Sequence, residues 1–318
     1  MSNKRFISFD TWAGAMNNIR LSYELAAALS YVSDRTLILP PRVYCLFLSD
    51  PNRKETFWDF WELFDREAFE AEFDTIAYEE VPEYERFNSD QQYFDGICDE
   101  VRCLPPRDYP NWGPSPGIPG LMDASLLECE DTFIHFPRNL FGFWYTLIPF
   151  PEGKSEEEFR AKLKRGLKIR SDYQPIAIPK PFNAIHVRMG DFNFTRPEAT
   201  RQFRYHLNKL VSNLLPRDLP LFIATNETNR EFFDCLKDYD CHFSEIPAAG
   251  NSVRAIGEDI LTCVEAERFH GSRFSTFTDY INILRHYLGK EDCSGTLLNY
   301  QFTGDEPETW ENLRVTRY

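Results

Sequence analysis

The sequence lacks any apolar run long enough to cross a membrane, and it has few basic residues for its size. Its 318 residues include 35 Lys and Arg against 50 Asp and Glu, which gives a formal net charge of -15. Binding to a nucleic-acid backbone needs basic surface, so this balance argues against a nucleic-acid partner. The short apolar stretch after Arg5 is interrupted by Asp10 and does not form a signal-peptide core. We therefore expect a cytoplasmic protein with no membrane span.

Several catalytic and metal-binding motifs are also missing. The eight cysteines are scattered and lack the spacing of a zinc site, so no metal centre is expected. The spaced glycines of a dinucleotide-binding loop and the G-x-S-x-G elbow of α/β hydrolases do not occur. We expect mostly reduced thiols, although the close pairs Cys98/Cys103 and Cys235/Cys241 would allow disulfides in an oxidising compartment.

The first forty residues show the pattern of a βαβ unit. Residues 5–9 form a plausible strand, a loop of small and polar residues follows, and apolar side chains then recur at helical spacing from about residue 17 to 33. A second strand, Thr36–Leu39, ends at Pro40. Strand, small-residue turn, helix and strand form a unit of Rossmann type, whose turn brings backbone N–H groups to the ligand side.

The middle of the chain is less regular. Phe57, Trp61 and Phe64 would share one face of a helix, most simply a core face. A proline-rich stretch, 105–119, predicts a long irregular loop, for which an acceptor-binding role and a disordered segment are the alternatives. Residues 132–136 predict a strand, and 155–169 a helix whose Ser155 and Glu158 form a capping box. We place the domain boundary at residue 170, giving domains 1–170, with an insertion at 42–130, and 171–318.

The second half alternates strands with helices, which predicts a parallel sheet. The expected strands are 182–188, 219–225 and 241–246, with a last short strand and turn at 268–272. The expected helices are 197–215, 228–239, 257–266 and one that begins near Ser275 with Phe277, Ile281, Leu284 and Leu288 on its apolar face.

Polar residues follow the strand ends of this second half. His186, Arg188 and Asp191 come at the end of one strand, where ligands bind in open α/β sheets. Arg188 carries a guanidinium suited to a phosphate, and Ser275 with Thr276 makes a hydroxyl-rich helix start that also suits one. The alternatives are an ordinary solvated ion pair and a plain serine N-cap.

Three blocks of sequence resemble those of the GDP-fucose protein O-fucosyltransferase superfamily. His186-Val187-Arg188-Met189-Gly190-Asp191-Phe192 is similar to its H-x-R-x-x-D-F motif. Residues 14–20, GAMNNIR, followed by 35–41, RTLILPP, resemble its opening G-G-x-N-x-x-R and R-T-L-V-L-P-P. Residues 258–277, from Glu258-Asp259 to Ser275-Thr276-Phe277, resemble its D…F-x-G-x-x-x-S-S/T-F block.

The resemblance implies an α/β fold of GT-B type, in which two Rossmann-like domains face a central cleft. It implies an inverting, metal-independent glycosyltransferase that moves fucose from GDP-fucose to a hydroxyl of a protein or glycan acceptor, with no cofactor beyond the donor. The first domain would hold the acceptor and the second the GDP-sugar.

The same resemblance implies roles for individual residues. Arg188, on the β-phosphate, and Asn17, facing the fucose and the acceptor hydroxyl, would be catalytic. The implied donor-binding residues are Gly14, Asn18, Arg20, His186, Asp191, Asp259, Ser275, Thr276 and Phe277. Of these, His186 and Asp259 would lie near guanosine, and Ser275, Thr276 and Phe277 would hold the phosphates.

The chain departs from the family pattern in its first block. Ala15 replaces the second glycine, and no glutamate stands just ahead of Asn17, where some members carry a presumed general base. Asp10, the nearest carboxylate in sequence, or the leaving phosphate would then take the proton. A non-catalytic GDP-sugar or carbohydrate-binding protein on the same fold is therefore the alternative function.

Overall fold

The computed structural model describes residues 4–9, 16–41, 43–44, 57–81, 101–103, 120–121, 132–136, 146–147, 150–188, 207–244, 253–272 and 275–290. They divide into two compact units: the first contains the described residues up to Arg170, and the second those from Ser171 onward. Each unit contains its own parallel sheet.

The first unit is organised on a five-stranded parallel sheet. Its strands run in the order β5-β2-β1-β8-β6, and two small two-stranded pairs, β3 with β4 and β7 with β9, accompany it. The strands of this unit are β1 (Phe6–Phe9), β2 (Thr36–Leu39), β3 (Val43–Tyr44), β4 (Phe57–Trp58), β5 (Thr75–Ala77), β6 (Val101–Cys103), β7 (Gly120–Leu121), β8 (Phe133–Phe136) and β9 (Thr146–Leu147).

Helix α1 (Met16–Ser33) connects β1 to β2, which confirms the predicted βαβ unit. Nearly all of its side chains are buried, including small ones such as Ala26 and Ala27, which let the helix pack closely on its neighbours. Because α1 is buried all round, its sequence carries little of the polar–apolar contrast of a surface helix.

The single helix expected around residues 57–65 is wrong. Phe57 and Trp58 form β4, a 3-10 turn follows at Phe60–Glu62, and α2 begins only at Arg66 and ends at Glu72. Asp59 accepts a hydrogen bond from the backbone N–H of Trp61 (3.0 Å), and Asp65 accepts one from that of Ala68 (3.0 Å). Each aspartate therefore starts a new turn, because a short polar side chain offers the backbone a local alternative to a continuous helix.

Helix α3 (Glu156–Gly166) begins as predicted, with the Ser155 hydroxyl accepting a hydrogen bond from the N–H of Glu158 (3.2 Å). In a capping box the Glu158 carboxylate would accept directly from the backbone N–H of Ser155, but here the hydroxyl of Tyr31 in α1 lies between them. The Tyr31 hydroxyl accepts from the backbone N–H of Ser155 (3.4 Å) and donates to the Glu158 carboxylate (3.0 Å). The cap thus joins α3 to α1 as well as starting the helix.

The second unit is organised on a four-stranded parallel sheet, as the alternating pattern predicts. The order is β12-β11-β10-β13, with strands β10 (Asn183–Val187), β11 (Leu221–Thr225), β12 (Cys241–Phe243) and β13 (Phe269–His270). The helices are α4 (207–214), α5 (Val253–Glu265) and α6 (Thr276–Tyr287); Arg230–Leu236 is a 3-10 helix where an α-helix was expected.

The predicted apolar face of α6 is confirmed at Ile281, which is buried, and is wrong at Leu288. Leu288 is 63% exposed, whereas Arg285 is fully buried in line with Thr278 and Ile281. The guanidinium of Arg285 explains this rotation. It donates to the carbonyl oxygens of the last turn of α5 and the residues after it, namely Cys263 (3.2 Å), Val264 (3.2 Å), Ala266 (2.7 Å) and Glu267 (3.1 Å). Carbonyls at a helix end have no intrahelical donor, so an inward arginine stabilises the end of α5.

We predict that Arg285→Met lowers the free energy of unfolding by about 3 kcal/mol, because the carbonyls of Cys263 and Glu267 lose this donor. Lys290 still donates to the carbonyls of Val264 and Ala266 in the variant. Arg254→Met is the matched control, since Arg254 is 60% exposed and pairs with Glu258 on the helix surface. That change should cost about 0.5 kcal/mol or less. Denaturant titration followed by circular dichroism measures both, and equal losses for the two variants would contradict the capping role.

Candidate functional site

Two hydroxyls hold the carboxyl end of β10. Ser272, which follows β13, donates to the carbonyl oxygen of His186 (3.0 Å) and accepts from the backbone N–H of Arg188 (2.9 Å). Thr225, at the end of β11, donates to the carbonyl oxygen of Val187 (2.7 Å). The backbone at the end of β10 is therefore held from both neighbouring strands. The side chain of Arg188 extends from a backbone whose position is fixed.

The start of α6 is bound to the same strand through His186. The ring Nδ1 of His186 lies 2.8 Å from the Thr278 hydroxyl, and the ring centroid lies 4.6 Å from that of Phe277. Burial, together with the smaller effect of the positive charge of Arg188, lowers the pKa of His186 to about 3. His186 is therefore a neutral imidazole at physiological pH, positioned beside a cation without competing with it for an anion.

Gly271 makes this close approach possible. A Cβ built on Gly271 would overlap the side chain of Thr278. Any larger residue would push the first turn of α6 away from the sheet and separate Thr278 from His186. Gly271 is therefore required because the side chain of Thr278 occupies the position of a Cβ.

The N-terminus of α6 offers donors to an anion. Ser275 is the N-cap and is buried, yet its hydroxyl makes no capping hydrogen bond to the described backbone of α6. The first intrahelical bond runs from the N–H of Asp279 to the carbonyl oxygen of Ser275 (3.0 Å). The N–H groups of the preceding turn, Thr276 to Thr278, have no intrahelical acceptor by geometry, and with the helix dipole they favour a negative ligand.

A second polar cluster lies beyond β12. Asp259 of α5 is 9% exposed, and one of its carboxylate oxygens lies 3.4 Å from the donating hydroxyl of Ser244. Arg230 donates to the carbonyl oxygen of Ser244 (3.0 Å) and lies 4.2 Å from the ring centre of Phe243. Burial raises the pKa of Asp259 to about 7; Glu258 also raises it, while the Ser244 hydrogen bond and Arg230 oppose the shift.

The structure thus places the two residues expected near guanosine in different clusters. His186 contacts α6 at the end of β10, and Asp259 contacts the segment after β12, with β11 between the two strands in the sheet. Their shared role in binding one nucleotide stays a prediction.

The candidates from the first unit have a different environment. Asn17 is 3% exposed in the first turn of α1, and the backbone carbonyl of Asn18 accepts a hydrogen bond from Ser22 (3.1 Å). Arg20 is fully buried and forms an ion pair with Glu24 one turn along the helix. A buried, ion-paired arginine has a ready structural role, and its proposed contact with the donor is untested. Gly14 and Asp191, like Asp10, lie outside the described residues.

The sequence indicated Gly271-Ser272 as a polar strand end, but it missed two other residues that position the site. Thr278 lies directly after the third sequence block, so a search for hydroxyls there would have found it. Thr225 gives no such signal, because its role depends on β11 lying beside β10. A buried Ser8–His135 contact of 2.9 Å across β1 and β8 likewise follows only from the strand order.

Three features are absent from the part of the chain that the structure describes. No group of three His, Cys, Asp or Glu side chains there could hold a metal ion, and metal independence stays a prediction. No helix in those residues is both long and apolar enough to cross a bilayer. Cys235 and Cys241 are free thiols, so the alternative of a disulfide between them is not realised; Cys98 and the side chain of Cys103 are outside the described part.

Comparison with solved structures identifies the fold. A crystal structure of POFUT1 in complex with GDP-fucose matches with a TM-score of 0.52 and 15% identity, covering 90% of this chain and 95% of that one. POFUT1 in complex with GDP matches with a TM-score of 0.52 and 14% identity, over 90% and 95% of the two chains. The chain has the fold of POFUT1. The expected α/β fold of GT-B type is confirmed.

The NodZ alpha-1,6-fucosyltransferase soaked with GDP-fucose matches with a TM-score of 0.47 and 15% identity, covering 88% of this chain and 92% of that one. No protein-family model and no curated protein sequence matches the chain.

His186 and Asp259 should give opposite pH dependences of stability. Below about pH 6.5 His186 is protonated in the unfolded chain but not in the folded chain, so the free energy of unfolding falls on acidification. Between about pH 4 and 7 the folded chain instead holds a proton on Asp259 that the unfolded chain releases, so stability rises on acidification.

We therefore predict that Asp259→Asn makes the acid-induced loss of stability steeper than in the wild type, and that His186→Asn makes it shallower or reverses it. Each change in slope is at most about 1.4 kcal/mol per pH unit. Urea titrations from pH 4.5 to 7 measure it, with Asp238→Asn, at a half-exposed carboxylate, as the control. Unchanged slopes in both variants would contradict the burial of these groups.

Proposed function

We propose that this protein is an inverting, metal-independent fucosyltransferase that takes fucose from GDP-fucose and transfers it to a hydroxyl of a protein or glycan. The observation that carries the proposal is the contact between the two sequence blocks of the second unit, residues 186–192 and 258–277. Ser272 bonds the backbone of Arg188, and Thr278, directly after the second of these blocks, bonds His186. The GT-B fold shared with POFUT1, whose solved structures include a GDP-fucose complex, supports the same donor.

The chemistry needs a site that stabilises a leaving diphosphate. Fucosyl transfer develops positive charge on the sugar and negative charge on the departing GDP. Preorganised donors aimed at developing charge are usually the largest catalytic contribution. In our proposal Arg188 binds the β-phosphate through its guanidinium, and the Ser275 hydroxyl with the first N–H groups of α6 binds the remaining phosphate oxygens.

The neutral state of His186 fits this role. Arg188 already supplies the positive charge that binds the phosphate, so His186 need not be charged. Its hydrogen bond with Thr278 holds the start of α6 in place. We propose that Asp259, buried and with a raised pKa, contributes to binding the base, because a carboxyl group can accept or donate hydrogen bonds according to its protonation. Asn17 is proposed to face the fucose and the acceptor hydroxyl.

Binding and transfer assays test the proposed donor and the proposed metal independence. Calorimetry should show binding of GDP and of GDP-fucose, and transfer to an acceptor should continue in excess EDTA. Absence of binding to either nucleotide at millimolar concentration would overturn the proposal. GDP binding without transfer or donor hydrolysis would favour the alternative, a non-catalytic GDP-sugar-binding protein.

Arg188→Lys should lower the transfer rate by about 10²–10³-fold, because an ammonium lacks the paired donors of a guanidinium and one lost donor of this kind has that cost. The backbone N–H that bonds Ser272 is unchanged by the substitution, so the melting temperature should stay the same. Arg217→Lys, at a half-exposed surface pair with Asp238, is the control and should retain full activity. A wild-type rate in Arg188→Lys would exclude Arg188 from the site.

A further inference from the structure

A pocket of about 340 Å³ lies at the carboxyl ends of β2 and β5 in the first unit, and none of the residues proposed to bind the donor lines it. Leu39 and Ala77, which end these two strands, are paired in the sheet and both line it. The carboxyl edge of a parallel sheet is where α/β folds bind ligands, and the volume is at the lower end of the range for ligand pockets.

One wall of the pocket is an aromatic platform. Trp61 lines it, and the rings of Phe60, Tyr23 and Phe69 contact Trp61 at centroid distances of 4.9, 5.4 and 5.5 Å. Its backbone N–H is held by the Asp59 carboxylate (3.0 Å). An indole held on several sides presents a rigid surface, and binding to it orders few side chains.

The rest of the lining combines the apolar Pro40 and Pro41 with residues of both charges. Asp59 and Glu79 contribute carboxylates, Arg66 contributes a guanidinium, and Tyr78 adds a phenol. Arg66 donates to Glu70 (2.6 Å) beside the pocket. This bond is the main cause of the raised pKa of Arg66, with smaller contributions from Glu79 and Asp59. Strong acceptors and strong donors therefore line the same small space.

This combination favours a neutral, polyhydroxylated ligand. The carboxylates of Asp59 and Glu79 would repel a phosphate, and the positive charge of Arg66 would repel an ammonium ligand. A sugar ring presents C–H groups on its faces, which pack on an aromatic ring, and hydroxyls around its edge, which both donate and accept.

We propose that this pocket binds one pyranose ring of an uncharged glycan, packed on Trp61 and hydrogen-bonded by Glu79, Asp59 and Arg66. Its use as the acceptor subsite of a fucosyltransferase rests on the function proposed above, but its sugar binding does not. The proposal adds a specificity pocket in the first unit to the donor site of the second.

The test uses the full-length protein and saturation-transfer NMR with methyl glycosides of glucose, galactose, fucose and N-acetylglucosamine. At least one should show saturation transfer, strongest at its ring C–H protons. Trp61→Ala and, separately, Glu79→Gln should each raise the dissociation constant about tenfold, the effect of losing about 1.4 kcal/mol of interaction. Trp61→Phe should restore part of the affinity, since it keeps an aromatic ring.

Glu67→Gln is the matched control, because Glu67 is exposed on α2 and does not line the pocket; it should leave sugar binding unchanged. GDP binding by calorimetry, measured on the same samples, separates the two proposals. Sugar binding without GDP binding would contradict the proposed function and leave the pocket proposal standing. The pocket proposal is overturned by GDP binding with no sugar binding, by sugar binding that Trp61→Ala and Glu79→Gln leave intact, or by binding of tetramethylammonium or inorganic phosphate in place of sugars.

Discussion

The hydroxyl of Ser272 joins the ends of two neighbouring strands of the second sheet, and the position of Arg188 depends on it. It bonds one carbonyl and one N–H group where β10 ends, and buried backbone groups need such partners. A guanidinium attached to a fixed backbone loses less freedom on binding an anion, so the contact contributes to preorganisation as well as to stability.

Three residues hold the start of α6 against the end of β10. Gly271 leaves room for Thr278, Thr278 bonds His186, and burial keeps His186 neutral. Farther along the same helix, Arg285 binds the carbonyls at the end of α5 and fixes the rotation of α6. The phosphate-side donors proposed at the helix start therefore depend on contacts along its whole length. Such buried polar networks are stable only when their members are paired.

Much of the fold could be predicted because its signals are local. The βαβ unit, the parallel second sheet and the Ser155 cap follow from periodicity and capping chemistry within short windows. The failures had non-local or competing causes. Asp59 and Asp65 divided an expected helix, and Arg285 turned inward because the end of α5 needed donors, which no periodicity along α6 reveals. In the site, the sequence blocks indicated His186, Arg188 and Ser275, whereas Thr225 and the Trp61 pocket required the strand order.

The central claim is that Arg188 and the first turn of α6 together bind a nucleotide diphosphate. A crystal structure of the protein with GDP tests it most directly. The account predicts the β-phosphate in contact with the Arg188 guanidinium and with N–H groups between Ser275 and Thr278, with Ser272 still bonded to the backbone of Arg188. A diphosphate bound elsewhere, with Arg188 turned away from it, would contradict the account.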